Sequence, residues 1–150
     1  MKILAKNRRA FFDYEILDTY EAGVVLTGQE VKSAKTGGIS LDGAYARVNS
    51  GRATLINAHI RAYTHASNLQ SYDPDQTRGL LLHKNEIVKL QDKISEKGLT
   101  LIPLEAYTRR GYVKVKLGLG RAKKKTDKRE TIKKCETEKK IQRAIRNRVK

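Results

Sequence analysis

Residues 121–150 cannot supply a hydrophobic core. They hold fourteen Lys or Arg and four Asp or Glu, a net charge of +10, and no run among them reads as a buried face. A segment this charged repels itself and buries too little apolar surface to offset the conformational entropy lost on ordering. The core has to come from residues 1–120, where eighteen basic side chains face twelve acidic ones, a net of +6. The expected organisation is therefore one domain over residues 1–120 with a short basic N-terminal arm, followed by a basic tail over 121–150.

Within residues 1–120 the apolar positions come in short alternating runs. Phe12, Tyr14 and Ile16 are two apart and predict a strand, with Glu21-Ala22-Gly23 as a bend before a second run, Val24 to Leu26. QEVKSAKTGG predicts a short helix stopped by Gly37-Gly38, since glycine readily takes the left-handed conformation of a helix end. YARVNSGRATLINAHI predicts a hairpin about Asn49-Ser50-Gly51, with an apolar second segment from Leu55 to Ile60. Residues 63–79 are polar, hold Pro74 beside two aspartates, and predict a long loop of the kind that carries function. Ile87, Leu90 and Ile94 recur at helical spacing as far as Gly98. TLIPLEAY and YVKVKLGL add two strands about a turn at Arg109-Arg110-Gly111, with Val113, Val115 and Leu117 facing one way and Lys114 and Lys116 the other. The Gly-x-Gly of GLGRAKKK reads as a flexible hinge into the tail. Six short strands without parallel βαβ spacing predict a mainly β fold, a small antiparallel OB-like barrel with two or three short helices.

The formal charge of the whole chain is +16, far beyond what solubility requires, and a polyanion would match it. Nucleic acid fits this better than an acidic membrane surface. No run approaches the roughly 18 apolar residues of a membrane span. MKILAKNRRAFF lacks the apolar stretch of a signal peptide, so a cytoplasmic protein is expected. Cys135 alone can form no internal disulfide, and with His59, His65 and His83 scattered, neither a metal nor a cofactor is expected. Walker, dinucleotide and Gly-x-Ser-x-Gly patterns are missing from the sequence, so no enzyme is expected; an RNA-cleaving or RNA-modifying activity would have to use Glu30 with His83. Tyr14, Tyr45 and Tyr112 alternate with apolar residues and read as core or barrel rim rather than as stacking platforms.

The tail nevertheless carries helix signals. Asp127 followed by Glu130 is a capping arrangement, and Glu130 with Lys134 and Glu136 with Lys140 are acid-first pairs four apart. Lys128, Lys139, Arg143, Arg146 and Lys150 fall within roughly 60° on a helical wheel, while Ile141, Ile145 and Val149 fall elsewhere. Isolated helices are marginal in water, and this one repels itself. A tail disordered when free and helical against a neutralising anion is the expected behaviour.

YEAGVVLTGQEVKS (20–33), LLLHKNEI (80–87), VKVKLGLG (113–120) and TDKRETIKK (126–134) resemble, in order and spacing, the SsrA-binding protein family, also called small protein B. The resemblance runs from about Asn7 to the end of the chain. It implies an OB-like barrel that holds the tRNA-like domain of transfer-messenger RNA, without performing a chemical step. It also implies delivery by elongation factor Tu, through the RNA, to ribosomes stalled on truncated messages. There the tail would occupy the vacant message channel past the decoding centre of the small subunit, allowing ribosome rescue and peptide tagging by a monomer. Carried over by position, Asn7, Arg8, Glu21, Gly23, Glu30, Lys32, Leu81 and Lys114 are implied on the RNA-binding face. Lys32 and Lys114 would neutralise phosphate, Glu21 or Glu30 would accept from a base amino group or orient a lysine, and Leu81 would support the surface from beneath. Lys123, Lys124, Asp127, Lys128 and Arg129 are implied contacts to ribosomal RNA. Ala122, Thr126, Phe11-Phe12, Tyr72, Gln76 and Gly79 depart from the residues common in relatives. The alternative from the same charge pattern is a ribosomal or assembly protein bound permanently to ribosomal RNA.

Overall fold

The computed structural model describes residues 1–64 and 71–148, apart from the side chains at 125–128, 131, 147 and 148. His65 and the middle of the predicted 63–79 loop lie outside the described residues. Among those described, the chain runs β1 (Lys2–Lys6), α1 (Arg8–Asp13), β2 (Tyr14–Val24), α2 (Gly28–Lys35), β3 (Ile39–Ser40), β4 (Tyr45–Asn49) and β5 (Arg52–Ile56). It continues through β6 (His59–Ile60), β7 (Arg78–Leu81), α3 (Lys84–Lys97), β8 (Thr100–Arg109), β9 (Tyr112–Ala122) and α4 (Lys125–Arg148).

The main sheet is antiparallel throughout, in the order β1-β8-β4-β5-β7-β2-β9, and β9 also pairs with β8. That last pairing closes the strands into a ring, the OB-like barrel, and leaves β1 outside on the edge of β8. Both tight hairpins close through two consecutive left-handed residues, Ser50-Gly51 between β4 and β5 and Arg110-Gly111 between β8 and β9. Such turns match the right-handed twist of the strands they join. Alternating side chains fill the ring: Ala22, Ala46, Leu55, Leu80, Leu101, Ala106, Val115, Leu117 and Leu119 are buried in one cluster with Leu90 of α3 and Ala34 of α2. Each fully buried Leu or Val side chain contributes about 1.5–3 kcal/mol to that core.

Several sequence expectations change. The chain makes one continuous eleven-residue β2 instead of two strands bent at Glu21-Ala22-Gly23, because β9 pairs along it from Tyr14 to Gly23. Phe12 belongs to α1 rather than to that strand, and the basic arm is strand β1 on the edge of β8. The segment expected from Leu55 to Ile60 is interrupted at Asn57, whose φ is 64°, so β6 leaves to pair with β3. The predicted 63–79 loop ends earlier, in β7. The expected hinge at Gly118-Leu119-Gly120 is rigid strand. Both glycines are buried within β9, and a Cβ at Gly118 would lie 2.9 Å from Leu104 Cδ1.

The helices follow their local signals. Thr27 and Glu30 form a reciprocal capping box on α2, and Gly98, at φ 61°, stops α3 in the left-handed conformation. Residues 125–148 are helical, and every α4 side chain that is described is exposed. Its root is attached: Lys123 N donates to Asp13 O (2.8 Å) and Lys123 Nζ to Phe11 O (3.0 Å). The Asp127–Glu130 cap lies outside the described side chains. No described helix is long and apolar enough to cross a membrane.

Candidate nucleic-acid interface

Strand register assembles one candidate surface. Leu81 of β7 pairs with Gly23 of β2, Gly23 pairs with Lys114 of β9, and Lys114 pairs with Tyr107 of β8. Directly paired residues share a face of the sheet, as do residues two apart on a strand. Glu21, Lys116, Arg109 and Tyr112 therefore join the same outer face, Glu21 opposite Lys116 and Arg109 opposite Tyr112. The intervening residues Ala22, Ala106, Val113 and Val115 point into the core, as the alternation of β9 predicts.

Glu21 organises the charges of this face. Its Oε2 accepts from Tyr107 Oη (2.5 Å) and Arg109 Nη1 (3.1 Å), and its Oε1 accepts from Lys114 Nζ (3.1 Å) and again Arg109 Nη1 (3.3 Å). The Tyr107 hydroxyl and the Lys114 ammonium hold its carboxyl down to about 2, well below the ordinary value of 4.5. Burial, reinforced by the bond to Glu21, pushes the Tyr107 phenol up to about 12. A carboxylate has about four acceptor sites, and four donor contacts already use them. The carboxylate thereby orients Lys114 and Arg109 on the outer face.

Gly23 lies directly beside its cross-strand neighbour: a Cβ there would meet Leu81 Cβ at 3.4 Å, an ordinary contact. Leu81 is 63% exposed, which corrects the expectation that it supports the surface from beneath. Leu80 takes the inward position on β7 and Leu81 the outward one. Beside them opens a cleft of about 850 Å3, lined on this face by Glu21, Gly23, Leu81, Tyr112 and Lys114.

Two implied contact residues lie in the interior. Glu30 is 2% exposed and accepts from Arg78 Nε through Oε2 (2.5 Å) and from Thr27 N through Oε1 (3.2 Å). Burial pushes its carboxyl up, but the bonds from Arg78 and Thr27 outweigh that and leave it below the ordinary range. Its carboxylate oxygens thus face Arg78 and the α2 cap in the interior. Asn7 is also buried; its Nδ2 donates to Pro103 O (2.9 Å) and its Oδ1 accepts from Ala10 N (3.3 Å), so it caps α1 and ties it to β8. Arg8, exposed on α1, lines a separate cleft with Lys6, Arg9 and Asp42. Lys32 is exposed on α2, its ammonium 5.6 Å from the centre of the Tyr63 ring.

Sequence reasoning missed Arg78. Its guanidinium donates to Glu30, to the carbonyls of Ala58 (2.6 Å), Gln76 (3.1 Å) and Pro74 (2.9 Å), and to Tyr72 Oη (3.3 Å). Tyr72 Oη in turn donates to Ile60 O (2.8 Å). One buried cation thereby ties α2 to the loop entering β7, and nothing local in the sequence distinguishes it from a surface arginine. Tyr107, Arg109 and Tyr112 were also missed, although placing Arg110-Gly111 in the turn would have paired Arg109 with Tyr112. Of the residues implied to contact ribosomal RNA, Lys123 is bonded to α1, Lys124 and Arg129 are exposed, and the side chains of Asp127 and Lys128 lie outside the described set.

The arrangement presents oriented cations beside exposed apolar side chains on a rigid sheet, joined to a positively charged helix. Three comparisons bear on it. The family model described as SmpB protein matches residues 4–147. The chain is 48% identical over 146 residues to the SsrA-binding protein of Nostoc punctiforme, covering 97% of this chain and 94% of the relative. It is 49% identical over 146 residues to that of Synechococcus elongatus, covering 97% and 95%. Among solved structures it matches, with a TM-score of 0.65 and 47% identity over 85% of this chain and 92% of the other, a chain from the work described as "tmRNA-SmpB: a journey to the center of the bacterial ribosome".

Proposed function

The chain belongs to the SmpB family, and from that premise we propose that its barrel binds the tRNA-like domain of transfer-messenger RNA while its tail engages the ribosome. The observation that carries this reading is the row Leu81–Gly23–Lys114, with Glu21 holding Lys114 in place. Lys114, Lys116 and Arg109 meet the phosphate backbone there, while Leu81 and Gly23 allow close approach of the RNA. Lys32 extends the cationic surface from α2. Asn7 and Glu30 act indirectly, by fixing α1 and α2. Arg8, in its separate cleft, contributes charge from α1.

The tail, with Lys124, Arg129 and the implied Asp127 and Lys128, inserts as a helix into the empty message channel of the small subunit, near the decoding centre. Twenty-four helical residues span about 36 Å at 1.5 Å each. Anchoring Lys123 on α1 sets where this rod leaves the barrel. The protein acts in the cytoplasm as a monomer, meets elongation factor Tu through the RNA, and needs no cofactor. It performs no chemical step: it positions one RNA on another, so that a ribosome stalled on a truncated message is rescued and its peptide tagged.

The test compares the full chain with a truncation after Lys124, which retains β9 and the Lys123 anchor. Binding to transfer-messenger RNA is expected to survive, and tagging of stalled peptides to collapse. Equal loss of both would show that barrel and tail do not divide the work in this way.

A further inference from the structure

Resting on the RNA-binding reading above, we infer that Arg78 is a positioning residue for that binding: it locks α2 to the segment after β6, and so holds Lys32 against Tyr63, facing the RNA. Arg78 itself is buried and touches no RNA. It acts through Lys32.

A guanidinium carries five N–H groups in a fixed planar fork. Those of Arg78 all meet acceptors: Nε donates to Glu30 Oε2, Nη1 to the carbonyls of Ala58 and Gln76, and Nη2 to Pro74 O and Tyr72 Oη. The acceptors come from two separate parts of the chain. Glu30 belongs to α2, where its other oxygen closes the capping box with Thr27. Ala58, Tyr72, Pro74 and Gln76 belong to the segments that leave β5 and enter β7. These segments are also bonded to each other, Ile60 N donating to Pro74 O (3.0 Å) and Tyr72 Oη to Ile60 O (2.8 Å).

The contact between Lys32 and Tyr63 spans the same two parts. Lys32 lies two residues beyond Glu30 on α2, and Tyr63 three residues beyond Ile60 at the end of β6. The ammonium stands 5.6 Å from the ring centre, within the range of a cation–π contact. No described acid pairs with Lys32, so its charge is left for an anion. A lysine in solvent samples many rotamers, and holding it on a half-buried ring lowers the ordering cost of meeting a phosphate. Arg61 N, bonded to Gly38 O (2.9 Å), fastens the chain just past the end of α2 to the same segment. The ring can hold the lysine only while α2 and residues 60–63 keep their spacing, and Arg78 bridges them in the interior.

The test measures binding of the full chain to a transcript of the tRNA-like domain of transfer-messenger RNA, at about 0.15 M salt and a temperature where every variant is folded. Lys32→Ala is expected to bind roughly fivefold more weakly, the effect of one counterion released at that salt. Arg78→Lys keeps a positive charge but loses the planar fork, and should cost about as much. That cost should vanish in the Lys32→Ala background and persist in the Lys114→Ala background, because only the first removes the group through which Arg78 acts. Tyr63→Leu should lose more affinity than Tyr63→Phe, which keeps a ring. Leu90→Ala, a core deletion that lowers stability without removing a bond of Arg78, should bind like the parent. The inference is overturned if Arg78→Lys binds like the parent, if its cost is unchanged in Lys32→Ala, or if Leu90→Ala weakens binding as much. Should Arg78→Lys fail to fold, Tyr72→Phe removes one hydroxyl from the same network and is judged by the same criteria. Failure of the parent itself to bind the transcript would instead overturn the underlying RNA-binding reading.

Discussion

Arg78 Nε lies 2.5 Å from Glu30 Oε2, and both side chains are 2% exposed. This pair joins β7 to α2 across 48 positions of sequence and is completed by the bonds from Arg78 to Ala58, Gln76, Pro74 and Tyr72. Removing one partner leaves the other charged in the interior. Arg78→Met should destabilise the barrel by about 3–5 kcal/mol in urea unfolding. Arg78→Met combined with Glu30→Leu should recover part of that loss, because no buried charge then remains. A double variant as unstable as the sum of the two singles would mean the pair is not coupled.

Stability should fall in acid through Glu21 and Glu30. Both carboxyls are lowered in the folded state, Glu21 to about 2 from an ordinary 4.5, so their contribution is present above the ordinary value and is lost as pH falls through the folded one. Thermal midpoints measured from about pH 5 down to about pH 2 should decline, and Glu21→Gln should make that decline shallower. At the alkaline end the sign reverses. Tyr107 is raised to about 12 from 10, so its contribution is intact below the ordinary value and disappears as pH rises through that window. Tyr107→Phe should flatten the alkaline limb.

The proposed function has Lys114 meet a phosphate. Lys114→Ala should weaken binding to the RNA at every sequence and reduce the slope of log affinity against log salt by about 1. Glu21→Gln should weaken binding while keeping that slope, since it disorders Lys114 and Arg109 without removing them. Filter binding at several salt concentrations distinguishes the two; an unchanged slope in Lys114→Ala would remove the phosphate assignment.

The described side chains of α4 are all exposed, so its helicity rests on local interactions in a self-repelling sequence. Amides from about residue 127 onward should exchange with solvent quickly in the free protein and become protected on a stalled ribosome. Full protection in the free protein would contradict a tail that orders on binding. Lys123→Ala removes the side-chain bond to Phe11 O and should leave the barrel's melting temperature unchanged while weakening the attachment of the tail to α1, seen as faster exchange at the backbone amide of position 123.

Much of the barrel was legible locally. The inward set Val113, Val115 and Leu117 and the outward Lys114 and Lys116 follow from a period of two, and the turn at Ser50-Gly51 and the stop at Gly98 follow from glycine in the left-handed region. Strand ends were less legible, because they depend on partners. The Glu21-Ala22-Gly23 bend becomes straight strand only because β9 runs beside it, and Gly118 and Gly120 become rigid rather than hinge-like because Leu104 and the β2 backbone pack against them.

The amino-acid order alone determined the apolar face of the last strand, the hairpin turns at Ser50-Gly51 and Arg110-Gly111, and that positive charge is divided between a core-forming segment and a tail that cannot form one. These are properties of neighbours along the chain. Whether a side chain is outside or inside was decided by tertiary structure: Glu30, implied on the RNA-binding face, meets Arg78 in the interior, while Leu81 and Tyr112 read as supporting or rim residues and stand exposed. The physical reason is that burial depends on what lies across the sheet. Register brings Leu81, Gly23, Lys114 and Tyr107 into one row from four strands, and no local pattern encodes a contact between residues that far apart.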